Sequence, residues 1–332
     1  MPDATDTTHA PDDASARRRA RRRIVKRAAL VCGLLLAAVV VGAYLLTRVT
    51  AGSRSSTPPV RHHDVSADDG ALGTGAGRRP LRVMTLNVAH GRSRGLHQAL
   101  LGRKKIERNL DAIAAVLRRE RPDVVALQES DGPSAWSGGF DHVERLAVQS
   151  GYPWSLRGNH VHGAKLAYGT ALLARPRPDA PRSKAFAPSP PTFTKGFVAA
   201  SVRWPPSGGA RIEVVSVHLD FSRRSVQRAQ VEDLVDAVAA DRHPLIVMGD
   251  FNCEWGAEDS PLQLLAEGLH LRAHRPEATG MATFPTLGTR IDWILISPGL
   301  EFVSYRVVPD TVSDHLGVVA EIAIAAPARD AD

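Results

Sequence analysis

The stretch Leu245-Ile246-Val247-Met248-Gly249-Asp250-Phe251-Asn252 places four large apolar residues before a glycine, a carboxylate and, two positions on, an amide. A run this short and this apolar, bounded by a glycine, reads as a strand buried on both faces rather than as a helix. Its polar end reads as chemistry at a sheet rim. The same pattern recurs along the chain. Leu81 to Val88 carries Asn87, and Val124 to Leu127 is followed by Glu129. Ile212 to Leu219 carries His218 and is followed by Asp220. Trp293 to Ile296 is preceded by Asp292, and Val318 to Ile324 by Asp314 and His315. Thr170 to Ala174, Phe197 to Val202 and Phe302 to Val307 are further strand candidates. If these ends converge, they form one polar cleft.

Helices are predicted at Lys104 to Arg119, Gly139 to Ser150, Arg224 to Ala240 and Pro261 to Glu267. The first repeats Ile106, Leu110, Ile113, Val116 and Leu117 at three-to-four spacing, the signature of one buried face. Strands outnumber helices, and only some strand pairs have a crossover helix between them. An α/β (α+β) arrangement with mixed sheets is therefore expected, rather than a purely parallel sheet. The sequence contains no internal repeat and no glycine-rich phosphate loop.

The formal charge of +7 first points to a polyanionic partner. Residues 1–80 hold 13 Lys/Arg against 7 Asp, whereas residues 81–332 hold 29 against 28 and are nearly neutral. The cations Arg17 to Arg19, Arg21 to Arg23, Lys26 and Arg27 precede Ala28 to Leu46, a run of 19 residues without a charge. A bilayer-crossing helix needs about 20 apolar residues, and cations flanking it stay on the cytoplasmic side.

The expected organisation is a basic cytoplasmic tail (1–27), a transmembrane helix or signal anchor (28–47), a flexible linker (48–80), a catalytic domain (81–326) and a short tail (327–332). The catalytic domain would then be extracytoplasmic on a single-pass plasma-membrane protein. It would be secreted if the segment is cleaved, for which Val49-Thr50-Ala51 and the twin-arginine-like Arg21-Arg22-Arg23-Ile24-Val25-Lys26 are candidates. Thr50 to Pro80 is poor in large apolar residues, is expected to lack a core of its own and reads as a flexible stalk, with His62-His63-Asp64 as solvated linker residues or, alternatively, metal ligands. Cys32 and Cys253 lie in unrelated segments, so no disulfide is expected.

Carboxylate and amide oxygens without a cysteine ligand suit a hard cation such as Mg²⁺, Mn²⁺ or Ca²⁺. Two histidines beside them supply proton transfer and phosphate contacts. The sequence has no Gly-x-Ser-x-Gly elbow and no His-Glu-x-x-His, which argues against serine hydrolases and zinc peptidases.

Taken in order, Val83-Met84-Thr85-Leu86-Asn87-Val88, Leu127-Gln128-Glu129, Val217-His218-Leu219, Gly249-Asp250-Phe251-Asn252, Arg290-Ile291-Asp292-Trp293-Ile294-Leu295 and Ser313-Asp314-His315 resemble the motifs of the endonuclease/exonuclease/phosphatase family. The resemblance spans Leu81 to Ala325. It implies a four-layer sandwich, two mixed β-sheets face to face with helices outside, and a metal-dependent phosphoesterase site at one rim. It further implies metal contacts from Glu129, Asn87 and Asp314, and water orientation or activation by Asp250. Asn252 would hold a phosphate oxygen or the water, and His218 and His315 would contact the phosphate. Asp292 would fix the second ring nitrogen of His315.

Other polar residues have two readings each. Asp220 is either a site support or a solvated strand end, and Cys253 and Glu254 are substrate neighbours or, for Cys253, a buried filler. Asn159, His160, His162 and Lys165, and Lys195 with Phe193 and Phe197, are expected in loops between motifs, either setting substrate selectivity or as exposed loop residues without a ligand. Trp136, Trp154 and Trp255 are core aromatics or a stacking surface. The near-neutral catalytic part carries no basic track for a nucleic-acid backbone. The segment before Thr170, Tyr168-Gly169, also lacks the Glu that secreted deoxyribonucleases of this family pair with the first histidine. A membrane-tethered phosphodiesterase, monomeric and acting on a lipid-like or small extracytoplasmic ester, is the expected function. A nuclease and a catalytically silent cell-surface binding module are the alternatives.

Overall fold

The computed structural model describes residues 13–51, 55–65, 79–163, 165–204, 209–239 and 243–324. The chain divides into two units, residues 1–46 and 47–332. In the first, helix α1 (Asp13–Val49) contains the segment Arg21–Leu46, long and apolar enough to cross a membrane. The helix therefore begins inside the expected basic tail, and the cationic residues form its first turns. Residues 1–12, residues 66–78 of the expected linker and the expected tail 327–332 lie outside the described residues.

The second unit contains two mixed sheets. One runs in the order β1 (Arg61–His62), β4 (Trp154–Gly163), β5 (Leu166–Ala174), β3 (Val124–Asp131), β2 (Leu81–Asn87), β13 (Val318–Ile324) and β12 (Leu300–Val307). The other runs β10 (Arg272–Ala273), β11 (Asp292–Ile296), β9 (Leu245–Asp250), β8 (Ala210–His218), β7 (Gly196–Trp204) and β6 (Asp179–Ala185). Alternation along each strand decides the layers, because successive side chains leave opposite faces. Leu81 and Val83 of β2 and Ile246 and Met248 of β9 meet in a core between the sheets. Met84 and Leu86 face helices α2 (Arg103–Glu120) and α3 (His142–Ser150). Leu245 and Val247 face helices α4 (Arg224–Val238) and α5 (Pro261–Gly268). Four layers with three apolar seams result. Each fully buried Leu or Ile contributes about 1.5–3 kcal/mol.

The predicted helices appear within a few residues of their expected bounds. α2 buries Ile106, Leu110, Ile113, Val116 and Leu117 along one face. α3 starts later than expected, at His142, because Asp141 caps it by accepting the Glu144 backbone N–H at 3.1 Å.

The segments with least apolar content depart most from expectation. Asn159, His160 and His162 stand in strand β4 rather than in a loop, because β5 supplies an antiparallel partner along its length. Part of the expected linker is also structured. Arg61–His62 pairs with Ser155 and Trp154, Ser56 bridges Ser183, and Pro58 and His63 are buried. The open edge of β4 supplies the hydrogen bonds that this segment has no core to earn, and His63 Nε2 lies 2.7 Å from Ser155 Oγ.

Beneath the rim where the strand ends meet, a chain of polar side chains joins the sheets. Thr85 Oγ1 donates to Gln128 Oε1 at 3.3 Å, Gln128 Nε2 to Ser216 Oγ at 3.1 Å, and Ser216 Oγ to the Leu127 carbonyl at 3.0 Å. All of these groups are buried.

Candidate active site

Strand register assembles the site. In the second sheet, His218 pairs with Asp250 across the parallel β8/β9 ladder, and Asp250 pairs with Asp292 across the antiparallel β9/β11 ladder. Three predicted residues thus form one transverse row. In the first sheet, Asn87 pairs with Gln128, one residue before Glu129. The register of β3 slips between Leu127 and Ser130, and Glu129 there adopts a left-handed φ of 50°. Asn252, two residues after Asp250, has φ 51°. Left-handed backbone in non-glycine residues costs free energy and is tolerated where the surroundings enforce it. Gly249, at φ 157°, has no room for a side chain, because a Cβ would run into the Val217 carbonyl oxygen.

Both sheets open onto a cleft of about 510 Å³ lined by Asn87, Glu129, His218, Asp250, Asn252, Asp314 and His315. Asp292 lies behind His315, fully buried.

Asp250 is the hub. Its Oδ2 accepts from Asn87 Nδ2 at 2.9 Å, across the gap between sheets, and lies 3.3 Å from His218 Nε2 and 3.8 Å from His315 Nε2. Its Oδ1 accepts the Asn252 backbone N–H at 3.0 Å. Burial alone would raise its pKa. The adjoining His315 charge and the bonds from His218 and Asn87 overturn this and hold the carboxyl below the usual carboxylate range. Asn252 Nδ2 donates to the Leu219 carbonyl at 3.0 Å, which fixes the amide at the cleft wall.

His315 Nδ1 sits 2.9 Å from Asp292 Oδ2. Burial opposes a charge on this ring, but Asp292 and Asp250 outweigh it and push the pKa up to about 10. At neutral pH the pair is an imidazolium on a carboxylate. Burial, with the charge of Asp250, raises the pKa of Asp292 in turn, against the pull of His315.

Glu129 lies between two basic side chains. His90 Nε2 is 3.4 Å from its Oε2, and Lys195 Nζ is 3.8 Å from its Oε1. Burial favours the neutral acid, yet His90 and Lys195 together hold Glu129 well below the usual carboxylate range. His90 is itself oriented by Asp131, whose Oδ1 lies 2.6 Å from Nδ1, and Asp131 accepts from Trp136 Nε1 at 2.9 Å. Asp314, by contrast, is engaged by Arg92, whose Nη1 donates to Oδ2 at 2.6 Å.

The predicted oxygen donors therefore share one cleft, each carboxylate compensated by its own cation. Asn87, Glu129 and Asp314 are an all-oxygen set of the kind that holds a hard divalent ion. Asn87 Oδ1 accepts only the Ala89 backbone N–H, at 2.9 Å, and keeps a second lone pair. Asp250, Asp292 and His315 form a second compact group, with one donor atom from each lying within 4.8 Å of the others. That group is already tied internally through the His315–Asp292 bond.

The remaining sequence candidates divide. Asp220 is fully buried and accepts from Ser189, Thr192 and Ser222, so it braces the loop around residue 190 rather than facing the cleft. Cys253 and Glu254 line the cleft, and Cys253 is buried. Asn159, His162 and Lys165 are exposed and His160 is buried, and none of the four lines the cleft. Trp136 and Phe193 pack with Tyr168, Trp154 packs on the inter-sheet core, and Trp255 packs against Trp293.

Lys195, expected in a loop, reaches Glu129 and His218. His90, Arg92, Asp131 and Arg224 were not found by sequence reasoning. The available signal was position alone, since His90 and Arg92 follow Asn87 by three and five residues. Phe221, Phe284 and Leu287 complete the rim.

Three comparisons bear on this arrangement. A family model described as "Endonuclease/Exonuclease/phosphatase family" matches residues 84–315. No curated protein matches the chain. Among solved structures, the chain is similar to an endonuclease/exonuclease/phosphatase from Beutenbergia cavernae. The two share 23% identity at a TM-score of 0.61, covering 74% of this chain and 72% of the other. It is also similar to the mannosyl-6-phosphatase of Bacteroides thetaiotaomicron (16% identity, TM-score 0.55, 74% and 100% covered). A third is truncated Caenorhabditis elegans TDP2 (18% identity, TM-score 0.53, 74% and 97% covered). At these identities the structural likenesses establish the fold. With the family model spanning most of the chain, including Glu129, His218, Asp250 and His315, this protein belongs to the endonuclease/exonuclease/phosphatase family and is a divalent-metal-dependent phosphoester hydrolase.

Proposed function

We propose that this protein is a phosphodiesterase acting on a lipid-like ester, with Mg²⁺ as its cation. The observation that carries the substrate class is the rim of the cleft. Phe221 and Leu287 line it and are 65% and 72% exposed, beside a polar floor. Large apolar side chains left in water around an active-site mouth fit an apolar substrate or a lipid surface. The near-neutral charge of residues 81–332 supports the same reading over a nucleic acid. The apolar helix α1, with its cations N-terminal, supports a membrane-anchored chain with this domain outside.

In this reading Glu129, Asn87 and Asp314 hold the cation, which neutralises phosphoryl oxygens when bound. Asp250 orients the attacking water. As the bond to phosphorus forms, the water's proton passes to the Asp250 carboxylate, and the leaving oxygen takes one from His315 Nε2. Asn252 contributes its amide to the same water or to a phosphoryl oxygen. His315, cationic and held by Asp292, presents Nε2–H to the developing charge of the phosphate. Arg92 and Arg224, which line the cleft, contact the other phosphate oxygens.

The test is hydrolysis by the full-length chain of sphingomyelin and phosphoinositides in mixed micelles, against bis(p-nitrophenyl) phosphate and duplex DNA, each with Mg²⁺. The double variant Phe221→Ser/Leu287→Ser is expected to lose at least tenfold on the micellar lipid and less than threefold on the soluble diester. Equal losses on both, or preferential cleavage of DNA, would overturn the substrate assignment.

A further inference from the structure

The two histidines of the cleft face different chemistry on their Nδ1 side. For His315 that atom meets a carboxylate, Asp292, at 2.9 Å. For His218 it meets an ammonium, with Lys195 Nζ at 3.4 Å. We propose that Lys195 is a positioning residue that locks His218 in the neutral tautomer with its proton on Nε2, making His218 a fixed hydrogen-bond donor in the cleft.

The backbone sets up the contact. Gly196, the first residue of β7, pairs in register with His218, so Lys195 stands at the end of the row that carries His218, Asp250 and Asp292. A side chain at residue 196 would run into the Lys184 carbonyl and His160, so glycine is required for the close approach. Lys195 is 7% exposed, and its ammonium spans Glu129 Oε1 at 3.8 Å and His218 Nδ1.

An ammonium has three protons and no lone pair, so Nδ1 must accept. The other side of the ring imposes the same answer independently. Nε2 lies 3.3 Å from Asp250 Oδ2, and an ionised carboxylate can only accept, so Nε2 must carry the proton. Two constraints from different elements agree on one tautomer. Burial, with the Lys195 charge, disfavours a second proton on the ring. His315, by contrast, faces a carboxylate on each ring nitrogen, Asp292 on Nδ1 and Asp250 on Nε2.

The consequence is a division of labour. His218 donates from Nε2 to Asp250 or a phosphoryl oxygen and retains its proton, which leaves proton delivery to other groups of the cleft.

The experiment uses the full-length chain in detergent with Mg²⁺ and bis(p-nitrophenyl) phosphate, a probe with no lipid portion, so that failure of the lipid assignment leaves the result interpretable. Lys195→Met removes the donor, and Lys195→Gln keeps an N–H donor without the charge. Lys195→Met is expected to lower kcat by about 10–100-fold with KM within twofold, the usual scale for losing a group that orients a site residue. Lys195→Gln is expected to restore kcat to within threefold of wild type.

In ¹⁵N-histidine spectra, Nδ1 of His218 is expected to be an unprotonated acceptor in wild type and Lys195→Gln, and a mixture of tautomers in Lys195→Met. The wild-type spectrum tests the proposal even if a variant misfolds. A protonated Nδ1 in wild type, or Lys195→Gln as impaired as Lys195→Met with KM raised tenfold in both, would overturn it in favour of direct phosphate binding by the lysine.

Discussion

Replacing Asp292 by Asn keeps the shape of the side chain behind His315 and removes its charge. The rise of the His315 pKa from 6.5 to about 10 corresponds to about 5 kcal/mol of preference for the imidazolium, at 1.36 kcal/mol per pH unit. Asp292 is the nearer carboxylate, at 2.9 Å against 3.8 Å for Asp250. At an effective dielectric of about 20 the Coulomb energy is roughly 6 kcal/mol at 2.9 Å and roughly 4 kcal/mol at 3.8 Å, and burial opposes both, so losing Asp292 removes a contribution about as large as the whole net preference. In Asp292→Asn the ring should therefore titrate near neutrality.

Two readouts follow. The alkaline limb of the pH–rate profile should move to lower pH, and kcat at pH 7 should fall about 10²–10⁴-fold, the range for a lost acid–base group. The stability effect has a fixed sign. The folded pKa lies above the unfolded value, so the stabilisation is complete below pH 6.5 and is lost as pH rises through about 10. Urea midpoints of metal-free wild type should thus fall between pH 7 and 10, and those of Asp292→Asn should be nearly flat there. The assay is hydrolysis of bis(p-nitrophenyl) phosphate across pH 5–11 with saturating Mg²⁺, with circular dichroism to confirm the fold. A variant within threefold of wild type at pH 7, its alkaline limb unmoved, would refute the reasoning.

Glu129→Gln should abolish the metal-dependent rate and weaken Mg²⁺ binding at least tenfold by calorimetry, and chelation of wild type should reproduce the loss; activity surviving both would place the cation elsewhere. Gly249→Ala should destabilise the domain by at least about 3 kcal/mol in chemical denaturation, because its Cβ meets a backbone carbonyl that cannot move without breaking the β8/β9 ladder. His63→Ala should leave kcat on a soluble diester unchanged while costing about 1–3 kcal/mol of stability and exposing residues 55–65 to protease, since Ser155 loses its buried partner. Unchanged protease protection would show that the backbone pairing at Ser56 and Arg61–His62 holds this segment without the His63 side chain.

What the sequence made legible was the set of strands buried on both faces. Leu245–Asp250 and Val124–Asp131 are apolar enough to be recognised alone, and their polar ends stood out against that background. Strands β4 and β6 did not stand out. Trp-Ser-Leu-Arg-Gly-Asn-His-Val-His-Gly and Asp-Ala-Pro-Arg-Ser-Lys-Ala have little β preference and become strands only because a partner edge satisfies their backbone. The docked segment around Arg61 is the same effect at the sheet edge.

In the site, all eight predicted residues fall in or directly behind the cleft, because a strand end fixes both position and direction. His90 and Arg92 escaped for the opposite reason, as did the contacts of Lys195, which the sequence marked only as a loop residue. Each sits on a connection whose path is set by distant contacts, such as the left-handed backbone at Ala89 and His90 or the tight passage at Gly196. The register that puts His218, Asp250 and Asp292 in one row is likewise a property of pairing, invisible in any single strand.

The polar chain from Thr85 through Gln128 to Ser216 has a mechanical consequence. The apolar seam between the sheets resists their separation, but its attraction is non-directional and does not by itself fix how far one sheet slides over the other. Hydrogen bonds of fixed length and angle resist that sliding, as a dowel does between two boards. The contact from Asn87 on one sheet to Asp250 on the other is measured across that joint. A displacement of about 1 Å, too small to expose the core, is enough to take the acid–base groups out of reach of the phosphate. Catalytic competence in this molecule is therefore a question of shear, and it should fade under mild denaturant while both sheets are still folded.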